Sequence, residues 1–150
     1  GMDTARNFPT TFCSRKKIHQ QPASENETRA LIRIFQEYGG RGLLVFCGYG
    51  KKVVYYRRDQ NFSTGQRCYR LARHLKKCTR GKLEQLAIQR EAQNGRRSTG
   101  RPEQYYGEMI RQPAFRIELP VNSGNKEEEE REIRDLMLLP LEYIYSLVQL

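Results

Sequence analysis

The segment Ser63–Cys78 constrains this chain more than any other. Stepped at about 100° per residue, Cys68, Leu71, Ala72, Leu75 and Cys78 fall on one side of a helix. Arg67, Arg70, Arg73, His74 and Lys77 fall on the opposite side. Ser63 or Thr64 can cap its start. Such a helix must lay its apolar side on a core supplied by the rest of the chain. Its other side is left to water or to an anion. Solvated helix faces ordinarily mix charge signs, whereas no acidic residue occurs between Ser63 and Cys78. The face therefore reads as a binding surface.

The charge elsewhere agrees with that reading. The 150 residues carry a formal net charge of +10. Residues 1–126 hold 25 Lys/Arg against 10 Asp/Glu, residues 127–150 hold 2 against 7, and 51–101 alone holds 15 against 3. Each phosphate neutralised by Lys or Arg releases counterions, so a concentrated basic excess points to a polyanion, with nucleic acid the first choice. No apolar run reaches the roughly 20 residues that span a bilayer, and no secretory signal is recognised. Gly1 before Met2 reads as a tag scar. With Cys13, Cys47, Cys68 and Cys78 and no signal peptide, reduced thiols in an intracellular setting, cytoplasmic or nuclear, are expected.

Residues 1–23 show no sustained period and read as a flexible basic arm. Ser24 and Glu27 form a capping-box pattern, after which Ala30, Leu31, Ile34, Phe35 and Tyr38 recur at helical spacing up to Gly39-Gly40. Leu43–Cys47 and Val53–Tyr56 flank Gly48-Tyr49-Gly50 and predict a β-hairpin, a better account of the glycines than a phosphate loop. Residues 84–93 fit a helix or a strand. Phe115, Ile117, Leu119 and Val121 alternate with Arg116, Glu118 and Pro120, which predicts a half-buried strand, with Pro120 marking a sheet edge or a strand end. The acidic run Glu127–Glu130 opens a helix, and Pro140 kinks it or starts a second one. That apolar end packs on the core or forms a homodimer.

The stretch "LEQLAIQRE…NGRRSTGRPEQYY" resembles the wing of winged-helix DNA-binding domains, with the likeness covering residues 64–106. There, a recognition helix leads into a strand, a basic glycine-containing loop and a strand ending in aromatics. The resemblance implies that Arg67, Arg70, Arg73, His74 and Lys77 enter the major groove, and that Arg96, Arg97 and Arg101 lie along a wing at 94–101. The expected fold is thus α+β, a winged-helix-like core over 24–122 with an added β-hairpin and a C-terminal helix over 123–150. The expected function is DNA binding in transcription or replication control, with duplex DNA as partner. Two alternatives stand beside it. One is an RNA- or single-strand-binding module that stacks bases on Tyr55 and Tyr56. The other is a protein-interaction domain whose basic face meets an acidic partner.

Catalysis is not expected. His19 and His74 have no acidic neighbour in sequence, and carboxylates outside the tail are scattered. Cys68, His74 and Cys78, with Cys47 as a fourth donor, have the residue types of a zinc site. However, no Cys-x2-Cys pair is present, and the wheel sets Cys68 and Cys78 on the apolar side with His74 on the basic side. Buried free cysteines are the preferred reading, with no metal or other cofactor.

Overall fold

The computed structural model describes residues 7–10, 23–48, 50–57, 62–80, 82, 83, 85–90, 100–119 and 124–149. They form α1 (Asn26–Tyr38), β1 (Leu43–Cys47), β2 (Lys52–Arg57), α2 (Phe62–Cys78), β3 (Gln85–Arg90), α3 (Pro102–Met109), β4 (Ala114–Glu118), α4 (Lys126–Leu136) and α5 (Leu139–Gln149). The architecture is α+β. The four strands form one mixed sheet in the order β1-β4-β2-β3. β1 runs parallel to β4, β2 parallel to β3, and β2 antiparallel to β4.

Alternation along the strands sorts their side chains to two faces. Phe115 and Ile117 of β4, Val53 and Tyr55 of β2, and Leu44 and Phe46 of β1 meet Leu71, Ala72 and Leu75 of α2 and Leu139 and Tyr143 of α5. The Tyr143 hydroxyl donates to the Pro113 carbonyl at 3.2 Å and anchors α5 beside the start of β4. On the other face, Ala114 and Leu43 meet Phe35 and Ile32 of α1, Tyr105 and Tyr106 of α3, and Phe8. Tyr106 donates its hydroxyl to the Gly39 carbonyl at 2.6 Å, joining α3 to the end of α1. Gly39 and Gly40 take φ values of 62° and 86°, a region that favours glycine after a helix.

Several expectations are corrected here. β1 and β2 do not form a hairpin, because β4 lies between them. The Gly50 N–H donates to the Leu119 carbonyl, and the Leu119 N–H donates to the Cys47 carbonyl, so the chain leaving β4 fills the gap. β4 is accordingly a central strand and not an edge, and it ends at Glu118, two residues before Pro120, as the strand-end alternative has it. Residues 85–90 are strand, paired along their whole length with β2. The aromatics do not end a wing strand. Pro102 occupies the first turn of α3, where its missing N–H costs nothing, and Tyr105 and Tyr106 are buried helix residues. Residues 7–10 of the supposed flexible arm are packed, with Phe8 only 1% exposed. The capping box does not form either. Glu25 is the N-cap and makes no side-chain cap bond, and its N–H donates to Asn7 Oδ1.

The C-terminal reading fares better. Asn125 caps α4 by accepting from the Glu128 N–H at 3.4 Å, and the acidic residues fill its first turn. A second helix, α5, begins around Pro140 and packs within the molecule through Leu139, Tyr143 and Ser146. α2 has the predicted sides: Cys68, Leu71, Ala72 and Leu75 are buried.

Burial pushes the Cys68 thiol up to about 11, from an ordinary 9.0. The folded state thus keeps this thiol neutral where the unfolded chain would ionise it. Its stabilising contribution is present below pH 9 and is lost as the pH rises through about 11. The expected difference is about 2–3 kcal/mol. Urea titrations at pH 8 and pH 11, with Cys68→Ala as the reference, measure it. Equal pH slopes in the two proteins would remove this assignment.

Candidate functional site at the sheet end

The register brings charged residues together at one end of the sheet. Cys47, Glu118 and Lys52 are paired neighbours across β1, β4 and β2. One row back, Val45, Arg116 and Val54 are paired in the same way. Two residues apart on β4, Arg116 and Glu118 share a face. The Arg116 Nε donates to Glu118 Oε1 at 3.0 Å, and its Nη1 forms an ion pair with Glu103 of α3. Lys52 Nζ lies 3.3 Å from Glu118 Oε2. The result is a chain of alternating charge, Glu103–Arg116–Glu118–Lys52, running from beneath α3 to the mouth of the sheet.

Its members differ in depth. Glu103 is 1% exposed, and its Oε2 has no hydrogen-bond partner among the described residues. Arg116 and Glu118 are nearly buried, and Lys52 is about one-third exposed. Gly50 is required by this packing. A Cβ there would come within 2.9 Å of the Glu118 Cβ and collide with its carboxylate. Burial raises the Cys47 thiol above its ordinary value, against the opposing pull of Arg116. Glu118, Arg101 and Glu103 also act on this thiol, which places all four charges around it. Three cations (Lys52, Arg101, Arg116) thus face two carboxylates at the carboxyl ends of the parallel pair β1 and β4.

Of the residues expected to carry function, Arg101 neighbours this site, whereas those on α2 lie elsewhere. Arg70, Arg73 and Lys77 are exposed on α2, and Arg67 and His74 are half-buried. The Arg73 guanidinium sits 5.6 Å from the centroid of the Tyr69 ring. Arg96 and Arg97 fall outside the described residues. Arg101 does not lie on a wing: it precedes α3, and its carbonyl accepts from the Tyr105 N–H. Tyr55 is 2% exposed and cannot stack on a base. The members of the sheet-end chain were missed, although the alternation of Arg116 and Glu118 between Phe115 and Ile117 was visible. With β4 read as half-buried, that polar face belonged to solvent.

His74 and Cys78 are not set apart by the helix, contrary to the expectation. Residues four apart on a helix differ by only about 40° in phase and stack one turn above the other. The His74 Nε2 and Cys78 Sγ lie 3.4 Å apart, and the Cys78 Sγ lies 3.9 Å from Oε2 of Glu142 on α5. A nucleophilic triad would place the imidazole between thiol and carboxylate. Here the sulfur contacts both. Burial and the Glu142 carboxylate raise the Cys78 thiol, the opposite of activation.

No protein-family model and no curated protein matches the chain. Solved structures do match. One is bovine thrombin-activatable fibrinolysis inhibitor in complex with tick carboxypeptidase inhibitor, at 17% identity and a TM-score of 0.72 over 99% of this chain. Another is a crystal structure of thrombin-activatable fibrinolysis inhibitor, at 15% identity and a TM-score of 0.75, again over 99% of this chain. The chain shares the fold of the matched portion of these structures. The chain spans 57% and 42% of the length of those two proteins. This likeness overturns the winged-helix assignment, and with it the expectation of a DNA-binding regulator partnered by duplex DNA. A basic helix followed by a glycine–arginine loop is common to many folds. The sheet order and the helix at 102–109 separate this one from a winged helix. The neighbour's recorded partner is a protein.

Proposed function

We propose that this chain is the protein-binding portion of a carboxypeptidase-like molecule, taking a carboxylate-bearing polypeptide at the sheet end and performing no chemistry by itself. The observation that carries the reading is the row Cys47–Glu118–Lys52, backed by Arg116, at the carboxyl ends of β1 and β4. In open sheets with parallel strands, ligands sit outside those ends. The cations Lys52 and Arg116 there favour an anionic group. The net charge of the chain steers acidic partners in the same direction. The protein inhibitor bound to one structural neighbour supports a protein ligand.

Two further features support the idea of a portion. β1, Leu-Leu-Val-Phe-Cys, is an edge strand whose outer side pairs with no strand among the described residues, and apolar edges of this kind call for a cover. Beside it lies a pocket of about 450 Å³ lined by Leu44 of β1 with Tyr143, Ile144, Leu147 and Val148 of α5. The remaining part of a carboxypeptidase-like fold would run along this edge.

The test is an NMR titration of the isotope-labelled chain with short unstructured peptides of acidic, neutral and basic composition. Acidic peptides are expected to move the amides of Cys47, Gly50, Lys52, Arg116 and Glu118, with affinity falling as salt is added. Lys52→Ala is expected to weaken binding about tenfold, the loss of one charged hydrogen bond. Shifts confined to other surfaces, or none with any peptide, would refute the binding site. Release of amino acids from the peptides would refute the absence of chemistry.

A further inference from the structure

We propose that His74, Cys78 and Glu142 form a zinc site that clips the end of α2 to the start of α5. The site stands apart from the sheet end and does not depend on the reading given for it. Its three donor atoms, the imidazole nitrogen, the thiol sulfur and a carboxylate oxygen, all lie within 4.8 Å of one another. Tetrahedral zinc, with bonds of about 2.3 Å to sulfur and 2.0–2.2 Å to nitrogen and oxygen, requires donors about 3.4–3.6 Å apart. The observed 3.4 Å from sulfur to nitrogen meets that requirement, and the 3.9 Å from sulfur to oxygen needs only a small rotation of an exposed side chain.

The local structure explains the convergence. His74 and Cys78 sit one turn apart in the last two turns of α2, so the helix itself holds the two donors side by side. Glu142 is the acidic residue of the first turn of α5. It is brought over by the packing of Leu139 and Tyr143 against Leu71 and Leu75. The pair is thus set by one helix and the third donor by the core. The carboxyl end of α2 adds the negative end of a helix dipole, which favours a cation. Beside Cys78 and Glu142 opens a cleft of about 260 Å³, leaving room for a water molecule as fourth ligand.

A thiolate, an imidazole and a carboxylate together select zinc over magnesium or calcium, which prefer oxygen alone. An ion here would cross-link two helices that otherwise meet through apolar contacts, so binding and folding would be coupled. The redox-inert ion would also protect Cys78, a half-buried thiol, from oxidation and alkylation.

The experiment is a titration of the full chain with Co²⁺, followed by displacement with Zn²⁺. One ion per chain, the charge-transfer absorption of a thiolate–cobalt bond and the visible spectrum of tetrahedral cobalt are expected. Zinc should abolish the colour and raise the melting temperature. Cys78→Ser is expected to remove the charge-transfer band, while Cys47→Ser leaves it intact. Glu142→Gln alters an exposed position and is expected to fold normally. It is expected to weaken binding at least about tenfold, as is His74→Gln. The proposal is overturned by the absence of a one-to-one cobalt complex. A band that survives in Cys78→Ser, or affinity unchanged in Glu142→Gln, overturns it equally. Should Cys78→Ser fail to fold, the Glu142→Gln titration decides alone.

Discussion

Arg116→Ala is expected to cost about 3–5 kcal/mol of folding free energy, enough to unfold a marginally stable domain. The reason lies with Glu103 more than with the arginine. Glu103 is 1% exposed and one of its oxygens already lacks a partner among the described residues. Removing the guanidinium leaves a carboxylate in the interior with no compensating charge. The same substitution frees Glu118 from its 3.0 Å bond, though Lys52 still holds that side chain from the solvent side. The cost should therefore be recovered in large part by Glu103→Gln in the Arg116→Ala background, because the amide carries no charge to desolvate. Lys52→Ala, at the partly exposed end of the same chain, should cost less than about 1 kcal/mol. Urea unfolding with unchanged m-values is the measurement. If Arg116→Ala and Lys52→Ala cost the same, the charge chain is not arranged by depth as described.

What the sequence revealed of this arrangement follows from how local each signal is. The sidedness of α2 was legible because a helix writes its faces within a few residues. The two C-terminal helices were legible because Asn125, the acidic first turn and Pro140 are local punctuation. The strands were visible too, but their neighbours were not. Nothing in Leu43–Cys47 or Lys52–Arg57 tells that residues 114–118 separate them, and Gly48–Gly50 offered a hairpin at the expected distance. With β4 read as half-buried, Arg116 and Glu118 had to face water. In the actual order they point beneath α3, and Glu103 becomes necessary. The charge chain is thus a consequence of topology. Residue types alone suggested a basic surface on α2, where the charges are conspicuous, and passed over the few that are buried.

The same logic applies to the N-terminal segment. Phe8→Ala is expected to destabilise the fold by about 3–5 kcal/mol, an effect foreign to a flexible arm. The Phe8 ring lies 5.8 Å from Tyr105 and 6.3 Å from Phe35, centroid to centroid, and so joins α3 to α1. Its N–H donates to the Gly100 carbonyl at 2.8 Å, immediately before α3. Asn7 performs the companion task at α1. Its carbonyl accepts from the Ala23 N–H, its Oδ1 accepts from the Glu25 N–H and its Nδ2 donates to Ser24 Oγ. Residues 7 and 8 therefore close the second core cluster and supply the cap that Glu25 does not. Asn7→Ala should cost about 1 kcal/mol, the usual value of a cap. In Phe8→Ala, amide exchange in the first turn of α1 and in α3 should accelerate together, while α2 and β4 change only with the global stability. A loss below about 1 kcal/mol, or exchange rising in α1 alone, would show that the ring does not bridge the two helices.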